Sequence, residues 1–200
     1  FEPIRALVMQ YAQMQRAMTA GMRIFELLDV QPDLVDSPQA SHLPTIKGHL
    51  KFNTVSFQYV PETEVLKKVT LDIPPGETMA IVGPTGAGKT TVVALVARFY
   101  DVTHGQITVD GYDIREVTRA SLASQMSLVL QEPFLYSASV ADNIRFARRE
   151  ASLEDIESAA KALGAHSFIT SMENGYDTIL HERGNNLSLG QRQLISFARA

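Results

Sequence analysis

The feature that most constrains this chain is a glycine-rich run at residues 83–90, Gly-Pro-Thr-Gly-Ala-Gly-Lys-Thr. The run fits the spacing G-x-x-x-x-G-K-[ST], in which glycines allow consecutive backbone N–H groups to turn towards one anion. An apolar segment, Thr78–Val82, precedes it and an apolar-periodic segment follows, so we expect a buried strand, a loop and a helix. A helix that begins at such a loop points its unpaired N–H groups and its positive dipole end at the same place. The run therefore predicts a phosphate-binding loop.

The composition excludes several other kinds of chemistry. The net charge is −4 and 45% of the residues are hydrophobic, so no basic field for nucleic acid is expected. The absence of cysteine excludes disulfides, thiolate metal ligands and cysteine nucleophiles. The five histidines are scattered, without the clustered spacing of a zinc site. No stretch reaches the roughly 18 apolar residues that a membrane-spanning helix needs.

The N-terminal segment has a seven-residue rhythm. Its two apolar seams are Ile4, Tyr11, Met18 and Phe25, and Leu7, Met14, Gly21 and Leu28. This a/d pattern predicts one helix over residues 4–29 that packs along a partner helix, the alternative being packing on its own domain. Residues 30–46 hold three prolines and are predicted to be an extended linker at a boundary.

Beyond the linker, strands and helices are predicted from periodicity. Alternating apolar residues indicate a strand over 49–59 with a bulge near Asn53 and Thr54, and a second strand over 66–73 that ends at a Pro-Pro-Gly turn. The remaining predictions are strands at 78–82, 106–109 and 127–130, and helices at 90–100, 139–147, 152–163 and 188–200. The alternation of strand, loop and helix after residue 77 indicates an α/β domain.

Five segments stand out along the chain: Tyr59, Gly83–Thr91, Val129–Asn143, Glu182–Gly184 and Leu187–Gln193. In this order they resemble the motifs of the nucleotide-binding domain of exporter-type ATP-binding-cassette (ABC) transporters. The resemblance covers essentially the whole chain and implies an α/β fold: a P-loop NTPase (RecA-like) core with an antiparallel β subdomain and a helical subdomain, incomplete at the C-terminus. It also implies three regions: 1–29 as the cytoplasmic extension of the last transmembrane helix, 30–46 as a linker, and 47–200 as the nucleotide-binding domain.

The resemblance implies ATP and Mg²⁺ as cofactors. Tyr59 would stack on adenine, the Thr90 hydroxyl and the Gln131 amide would bind Mg²⁺, and Lys89 and Gln131 would serve catalysis. Gln131 follows an apolar run, at the kind of strand end where ligands bind in open α/β sheets. The full set of expected cofactor-binding residues is Tyr59, Gly83, Pro84, Thr85, Gly86, Ala87, Gly88, Lys89, Thr90, Thr91, Ser188, Gly190 and Gln191.

Residues Leu187–Gln191 resemble the family signature Leu-Ser-Gly-Gly-Gln, with Leu189 where glycine is usual. From the residues alone, Ser188 is a good N-cap for the helix that follows. The resemblance implies that the same segment binds the γ-phosphate of ATP held by a second nucleotide-binding domain, either identical or homologous. We expect Leu189 to leave the signature functional, because a backbone donor survives the substitution. Glu182–Gly184 is expected to touch the membrane domain.

The function implied is that of an ATP-binding and hydrolysing subunit of an exporter, at the cytoplasmic face of a membrane and joined to a transmembrane domain of the same polypeptide. Two alternatives stay open: a soluble ATPase of the same superfamily, and a non-catalytic module that binds ATP only to dimerise. In the family, the general base follows the signature helix, so it is expected beyond Ala200. The 200 residues alone are therefore expected to bind nucleotide weakly without turnover. The transported substrate is not predicted, and the direction of transport rests on the resemblance.

Overall fold

The computed structural model describes residues 1–200, which divide into two compact units. The first unit comprises residues 1–41, 50–73 and 77–118, and the second comprises residues 42–49, 74–76 and 119–200. The glycine-rich loop belongs to the first unit and the signature-like segment to the second.

The first unit contains an antiparallel sheet. Its four strands lie in the order β2-β1-β3-β4. Their bounds are Leu50–Gln58 for β1, Glu64–Ile73 for β2, His104–Val109 for β3 and Tyr112–Asp113 for β4. Phe52, Val55 and Ile107 are almost completely buried, as expected for strands with one apolar face. The three predicted strands at 49–59, 66–73 and 106–109 are thus confirmed, together with the antiparallel β subdomain.

The predicted bulge in β1 is also confirmed. The register of β1 shifts between Phe52 and Val55 against β2, and Thr54 has a positive φ of 51°. β3 crosses this bulge closely at Gly105, where φ is +81°. A Cβ at Gly105 would overlap the carbonyl oxygens of Asn53 and Thr54, so the bulge depends on glycine in the neighbouring strand.

Two further strands were predicted, and neither forms. Residues 78–82 and 127–130 have no strand structure, and no backbone–backbone hydrogen bond joins either segment to another. Val82 and Leu130 are exposed, at 87% and 57%. A strand exists only with ladder partners for its N–H and C=O groups, and an apolar run does not specify those partners. The prediction of buried strands at these two places is therefore wrong for this structure.

Helix α2, Lys89–Val96, follows the glycine-rich loop and is shorter than the predicted 90–100. Ala97 ends it, and Arg98 adopts a positive φ of 51°. Arg98 is only 3% exposed. Its guanidinium donates to Val117 O at 2.9 Å and pairs with Asp101 at 3.1 Å. The chain after α2 is therefore fixed by one buried cation.

The N-terminal helix α1, Glu2–Leu28, confirms the helix predicted over 4–29 within two residues at each end. Pro3 lies in its first turn, where a missing N–H costs nothing. None of its residues is buried, so both apolar seams lie unpacked, and the alternative of packing on its own domain is not observed. No helix of the chain, α1 included, combines the length and the apolar character of a membrane span.

The second unit is helical. Its helices are α3 (Arg119–Ala123), α4 (Val140–Ile144), α5 (Leu153–Ala162), α6 (His166–Thr170) and α7 (Leu189–Arg199), with single 3₁₀ turns at Arg145–Ala147, Gly175–Asp177 and Glu182–Gly184. Ser139, Ser152 and Ser188 cap α4, α5 and α7 by accepting hydrogen bonds from backbone N–H groups. The helices predicted at 139–147, 152–163 and 188–200 are thus confirmed.

The core of the second unit contains one fully buried polar side chain, the Asn143 amide. Its Oδ1 accepts from Tyr136 N at 2.8 Å, and its Nδ2 donates to Tyr136 O and Ser139 O, both at 3.0 Å. An amide has both a donor and an acceptor end, so this one residue pairs with both N–H and C=O groups of the turn before α4. The segment that follows Gln131 is therefore held at its C-terminal end by Asn143.

Candidate nucleotide-binding site

The glycine-rich loop forms a set of free backbone donors at the start of α2. Gly88 occupies the N-cap position with φ of 83°, a conformation that favours glycine, and a Cβ there would approach Leu66 Cδ2 to 2.7 Å. No acceptor within the chain pairs with the N–H groups of Gly86, Gly88, Lys89 or Thr90. Unpaired donors at a helix start bind anions, so the loop fits a phosphate chain.

Lys89 adds the positive charge of the loop. Its ammonium donates to the carbonyl oxygens of Gly83 and Pro84, each at 2.8 Å, and the residue is half-buried. The two carbonyls hold the ammonium folded back against the start of the loop. An ammonium on a flexible stem can leave such neutral acceptors for a phosphate oxygen, where the hydrogen bond is charge-assisted.

Tyr59 lies next to the start of α2. Its hydroxyl donates to Oγ1 of Thr91 at 3.2 Å, and Thr91 itself is buried. About half of the Tyr59 side chain, 49%, is exposed. The structure therefore brings together an accessible aromatic ring and the phosphate loop, as a site for a base and its phosphates requires.

The loop residues that complete the expected set lie within the same unit. Pro84, Thr85, Ala87 and Thr90 are at or next to the turn, which is closed by a hydrogen bond from Ala87 N to Pro84 O at 3.2 Å. The Thr90 hydroxyl, expected to bind Mg²⁺, stands in the first turn of α2. Hydroxyl and amide oxygens are ligands of the kind that Mg²⁺ takes, so the residue type fits the metal.

Gln131 belongs to the second unit, whereas Thr90 belongs to the first. Gln131 is exposed and lies in a bend, and it does not end a strand, because the strand expected at 127–130 is absent. The strand-edge argument for Gln131 therefore fails in this structure. Its expected part in metal binding now depends on the family resemblance.

The signature-like segment forms a capping box. The Ser188 hydroxyl accepts from Gln191 N at 3.2 Å, and the Gln191 side chain accepts from Ser188 N at 2.9 Å. The capping role predicted for Ser188 is confirmed. Because its oxygen only accepts here, the hydroxyl hydrogen is still able to donate to an anion. Leu189 is 57% exposed, and a Cβ at Gly190 would meet nothing within 4 Å.

The Glu182–Gly184 turn is tied to α7. Arg192 donates through Nη1 to Leu187 O at 2.8 Å and to Gly184 O at 3.3 Å. A Cβ at Gly184 would approach Leu135 Cδ1 to 2.9 Å, so the turn also packs on the segment after Gln131. Arg192 therefore couples the expected membrane-facing turn to the signature-like helix within one unit.

Sequence reasoning missed two residues near these sites. Tyr100 contacts Tyr59, and it was missed because the predicted helix ran through residue 100, whereas α2 ends at Val96. Asn143 was included in a motif without a role of its own. An Asn inside a short apolar helix is a signal for a buried amide with several partners, and the structure bears this out.

Comparison with known proteins identifies the family of this chain. A family model described as "ABC transporter" matches residues 66–200. The chain belongs to the ABC transporter family.

Relatives and solved structures agree with this assignment. The chain is 46% identical over 200 residues to the ABC transporter ATP-binding protein YknV of Bacillus subtilis, covering 100% of the chain and 33% of the relative. It is 41% identical over 200 residues to an ATP-dependent lipid A-core flippase of Desulfotalea psychrophila, covering 100% of the chain and 35% of that protein. A bacterial Atm1-family ABC exporter with ATP bound matches with a TM-score of 0.87 and 35% identity, over 100% of this chain and 35% of its own. The expected fold class is thus confirmed, and the chain spans about a third of the length of these proteins.

Proposed function

We propose that this chain is the ATP-binding part of an ABC exporter, in which binding and hydrolysis of ATP drive movement of a substrate across a membrane. One observation carries the proposal. The Tyr59 hydroxyl donates a 3.2 Å hydrogen bond to Thr91 in the first turn of α2, next to the loop whose N–H groups have no partner in the chain. A base platform and a phosphate loop are thereby combined in one unit. The ATP-dependent exporters and flippases among its relatives support this function.

In this proposal the residues divide the work of holding a nucleotide. The loop N–H groups and Lys89 bind the phosphates, and Tyr59 stacks on the base. The Thr90 hydroxyl would hold Mg²⁺, which supplies charge neutralisation at the phosphates when it is bound. A part for Gln131 in holding the metal is proposed from the family resemblance alone. Lys89 and the N-terminus of α2 would stabilise negative charge that develops during phosphoryl transfer.

The second unit would supply the partner side of the reaction. We propose that Ser188, Gly190 and Gln191 bind the γ-phosphate of ATP held by another nucleotide-binding domain, so that ATP joins two domains and hydrolysis releases them. The free hydroxyl hydrogen of Ser188 and the start of α7 support this role. Light scattering of the intact protein with Mg-ATP tests whether the second domain is a copy of this one, and absence of dimers would favour a homologue.

The second unit also offers a surface for a membrane domain of the same polypeptide, at the cytoplasmic face. Tyr136 stacks on Phe146 with centroids 4.4 Å apart and meets Phe134 edge to face at 5.2 Å. These three rings are each at least 40% exposed, which is a large amount of aromatic surface to leave in water. We propose that they contact the membrane domain, together with Glu182–Gly184. Cysteine cross-linking of position 134 or 146 in the intact protein tests this contact.

The decisive experiment is isothermal titration calorimetry of Mg-ATP with the intact protein. Wild type should bind ATP, and K89A should lose at least about tenfold in affinity, because one charge-assisted contact to phosphate disappears. The matched control is K51A, which removes a lysine that pairs with Asp72 at 2.9 Å in the sheet. No ATP binding by wild type, or equal binding by K89A, would overturn the proposal. Binding and dimerisation without hydrolysis would instead support the non-catalytic module.

A further inference from the structure

Tyr59 is part of a cluster of three aromatic rings. Its ring lies perpendicular to that of Phe57, at 87° with centroids 4.7 Å apart, and perpendicular to that of Tyr100, at 87° and 5.0 Å. Phe57 and Tyr100 also meet, at 5.7 Å. Perpendicular rings attract through the positive edge of one and the negative face of the other. Tyr59 is therefore held by two neighbours besides its hydrogen bond to Thr91.

Tyr100 reaches this cluster because α2 stops early. The helix ends at Val96, and the left-handed backbone of Arg98 turns the chain before Tyr100. The buried guanidinium of Arg98 pairs with Asp101, the residue next to Tyr100, at 3.1 Å. Tyr100 thus stands on a backbone segment that is anchored from both sides, by α2 before it and by the Arg98 ion pair after it.

An exposed ring that stacks on a base benefits from being held in one orientation. A tyrosine left half exposed on a surface loses side-chain freedom when it binds, and that loss weakens the complex. A neighbour that already fixes the ring removes part of this cost. Phe57 is 3% exposed and belongs to the sheet core, whereas Tyr100 is 45% exposed. The contact between Tyr100 and Tyr59 is therefore not needed to fill the core.

We propose that Tyr100 is a positioning residue that holds the Tyr59 ring ready to stack on a nucleotide base. The inference rests on the proposed ATP binding and assigns to Tyr100 a part in it that is specific to the base. Tyr100 acts through Tyr59, and the phosphate loop does not depend on it. Affinity for the base and affinity for the phosphates should therefore separate when Tyr100 is changed.

The test measures binding of Mg-ATP and of magnesium tripolyphosphate, which has no base, to the intact protein by calorimetry. Y100A should weaken ATP binding about threefold to tenfold, the range expected for one lost aromatic pair, and leave tripolyphosphate binding unchanged. Y100F should recover ATP binding to within about twofold, because the contact needs the ring and not the hydroxyl. Y100L keeps most of the side-chain volume but has no ring, so it should bind ATP as weakly as Y100A. This variant separates loss of the ring from collapse of the space that the ring fills.

Two controls separate positioning from direct contact and from damage. Y112A removes an exposed tyrosine of the same unit that lies in β4, outside the cluster, and should leave ATP affinity unchanged. In the Y59A background, adding Y100A should cost nothing further, because a residue that acts through Tyr59 has no effect once that ring is gone.

The inference is overturned if Y100A and Y100L bind ATP like wild type while K89A does not, and in that case the proposed function stands. It is also overturned if Y100A weakens tripolyphosphate as much as ATP, or if it weakens Y59A further. Absence of ATP binding in wild type would overturn the proposed function itself, and this inference with it.

Discussion

Nη1 of Arg98 lies 3.5 Å from Oδ1 of Asp36, which joins the segment after α2 to the proline-rich linker. The same guanidinium pairs with Asp101 and donates to Val117 O. Nearby, Ser41 extends this attachment by accepting from Thr118 N and donating to Glu116 O, both at 2.9 Å. The linker up to Ser41 is therefore part of the first unit and is not a free tether.

Arg98→Ala should be one of the most damaging single substitutions in the first unit. It leaves two carboxylates without their buried partner and a carbonyl without its donor, and we expect a loss of about 3 kcal/mol in the free energy of unfolding. Asp36→Ala should cost less, about 1 kcal/mol, because Asp36 is partly exposed and Arg98 keeps Asp101. Urea unfolding followed by circular dichroism measures both, and equal losses would contradict the central role of Arg98.

Gly105→Ala tests the close crossing of β3 over the bulge in β1. The added methyl group would overlap the carbonyl oxygens of Asn53 and Thr54 at a positive φ, and we expect a loss of at least about 2 kcal/mol. Gly111→Ala is the matched control, because its φ is also positive at +88° but no atom lies within 4 Å of the new Cβ. If thermal unfolding shows the two variants to be equally stable, the crowding at Gly105 is not the limiting factor.

Asn143→Ala should destabilise the second unit by about 3 kcal/mol, because Tyr136 N and several carbonyls lose a buried partner at once. Asn143→Asp keeps the oxygen that accepts from Tyr136 N. It replaces Nδ2, which donates to the carbonyl oxygens of Tyr136 and Ser139, by a second acceptor oxygen. It should therefore rescue little of the loss at neutral pH. Hydrogen exchange of the amides at 136–143 measures the effect locally, and wild-type protection in N143D would contradict the role of the amide donors.

Asp113 gives the first unit a dependence on acid pH. Burial by itself raises the pKa of Asp113, but hydrogen bonds and the charge of Arg115 outweigh burial and lower the pKa below its ordinary value. A carboxyl group whose pKa is lower in the folded state stabilises the fold above its unfolded pKa of about 3.9, and this contribution disappears as the pH falls through the folded value.

The stability advantage of wild type over D113N should therefore be constant, at about 1 kcal/mol, above roughly pH 5. It should shrink progressively below about pH 4, as the carboxylate is protonated. Unfolding by urea at a series of pH values gives both curves. A gap between them that stays constant down to pH values near 2 would be inconsistent with this assignment.

Ser188 allows its two roles to be separated by a pair of variants. Ser188→Ala removes both the cap of α7 and the hydroxyl, and should cost about 1 kcal/mol in stability as well as ATP-dependent dimerisation. Ser188→Asp retains a good cap, so its stability should stay near that of wild type, but its charge repels phosphate and dimerisation should be lost. Light scattering with Mg-ATP measures dimerisation, and normal dimers of S188D would argue against phosphate binding at this position.

Local patterns predicted what is decided locally. The heptad seams gave α1, the alternation and its slip gave β1 with its bulge, and Ser188 was recognised as a cap. Features that depend on distant partners were not predicted. The apolar runs at 78–82 and 127–130 have the pattern of strands but lack ladder partners. Tyr100 reaches Tyr59 only because the chain turns at Arg98, after the end of α2.

The open space around Gly190 has a consequence for saturation mutagenesis. Since a Cβ there would touch nothing and the residue lies within the first turn of α7, folding alone should tolerate alanine and even gain from its helix propensity. If a variant of this residue accumulates to normal levels in cells but does not support cell growth, its side chain is crowded by something outside the domain. Substitutions at position 190 should therefore affect assembly with a partner without affecting folding of the domain.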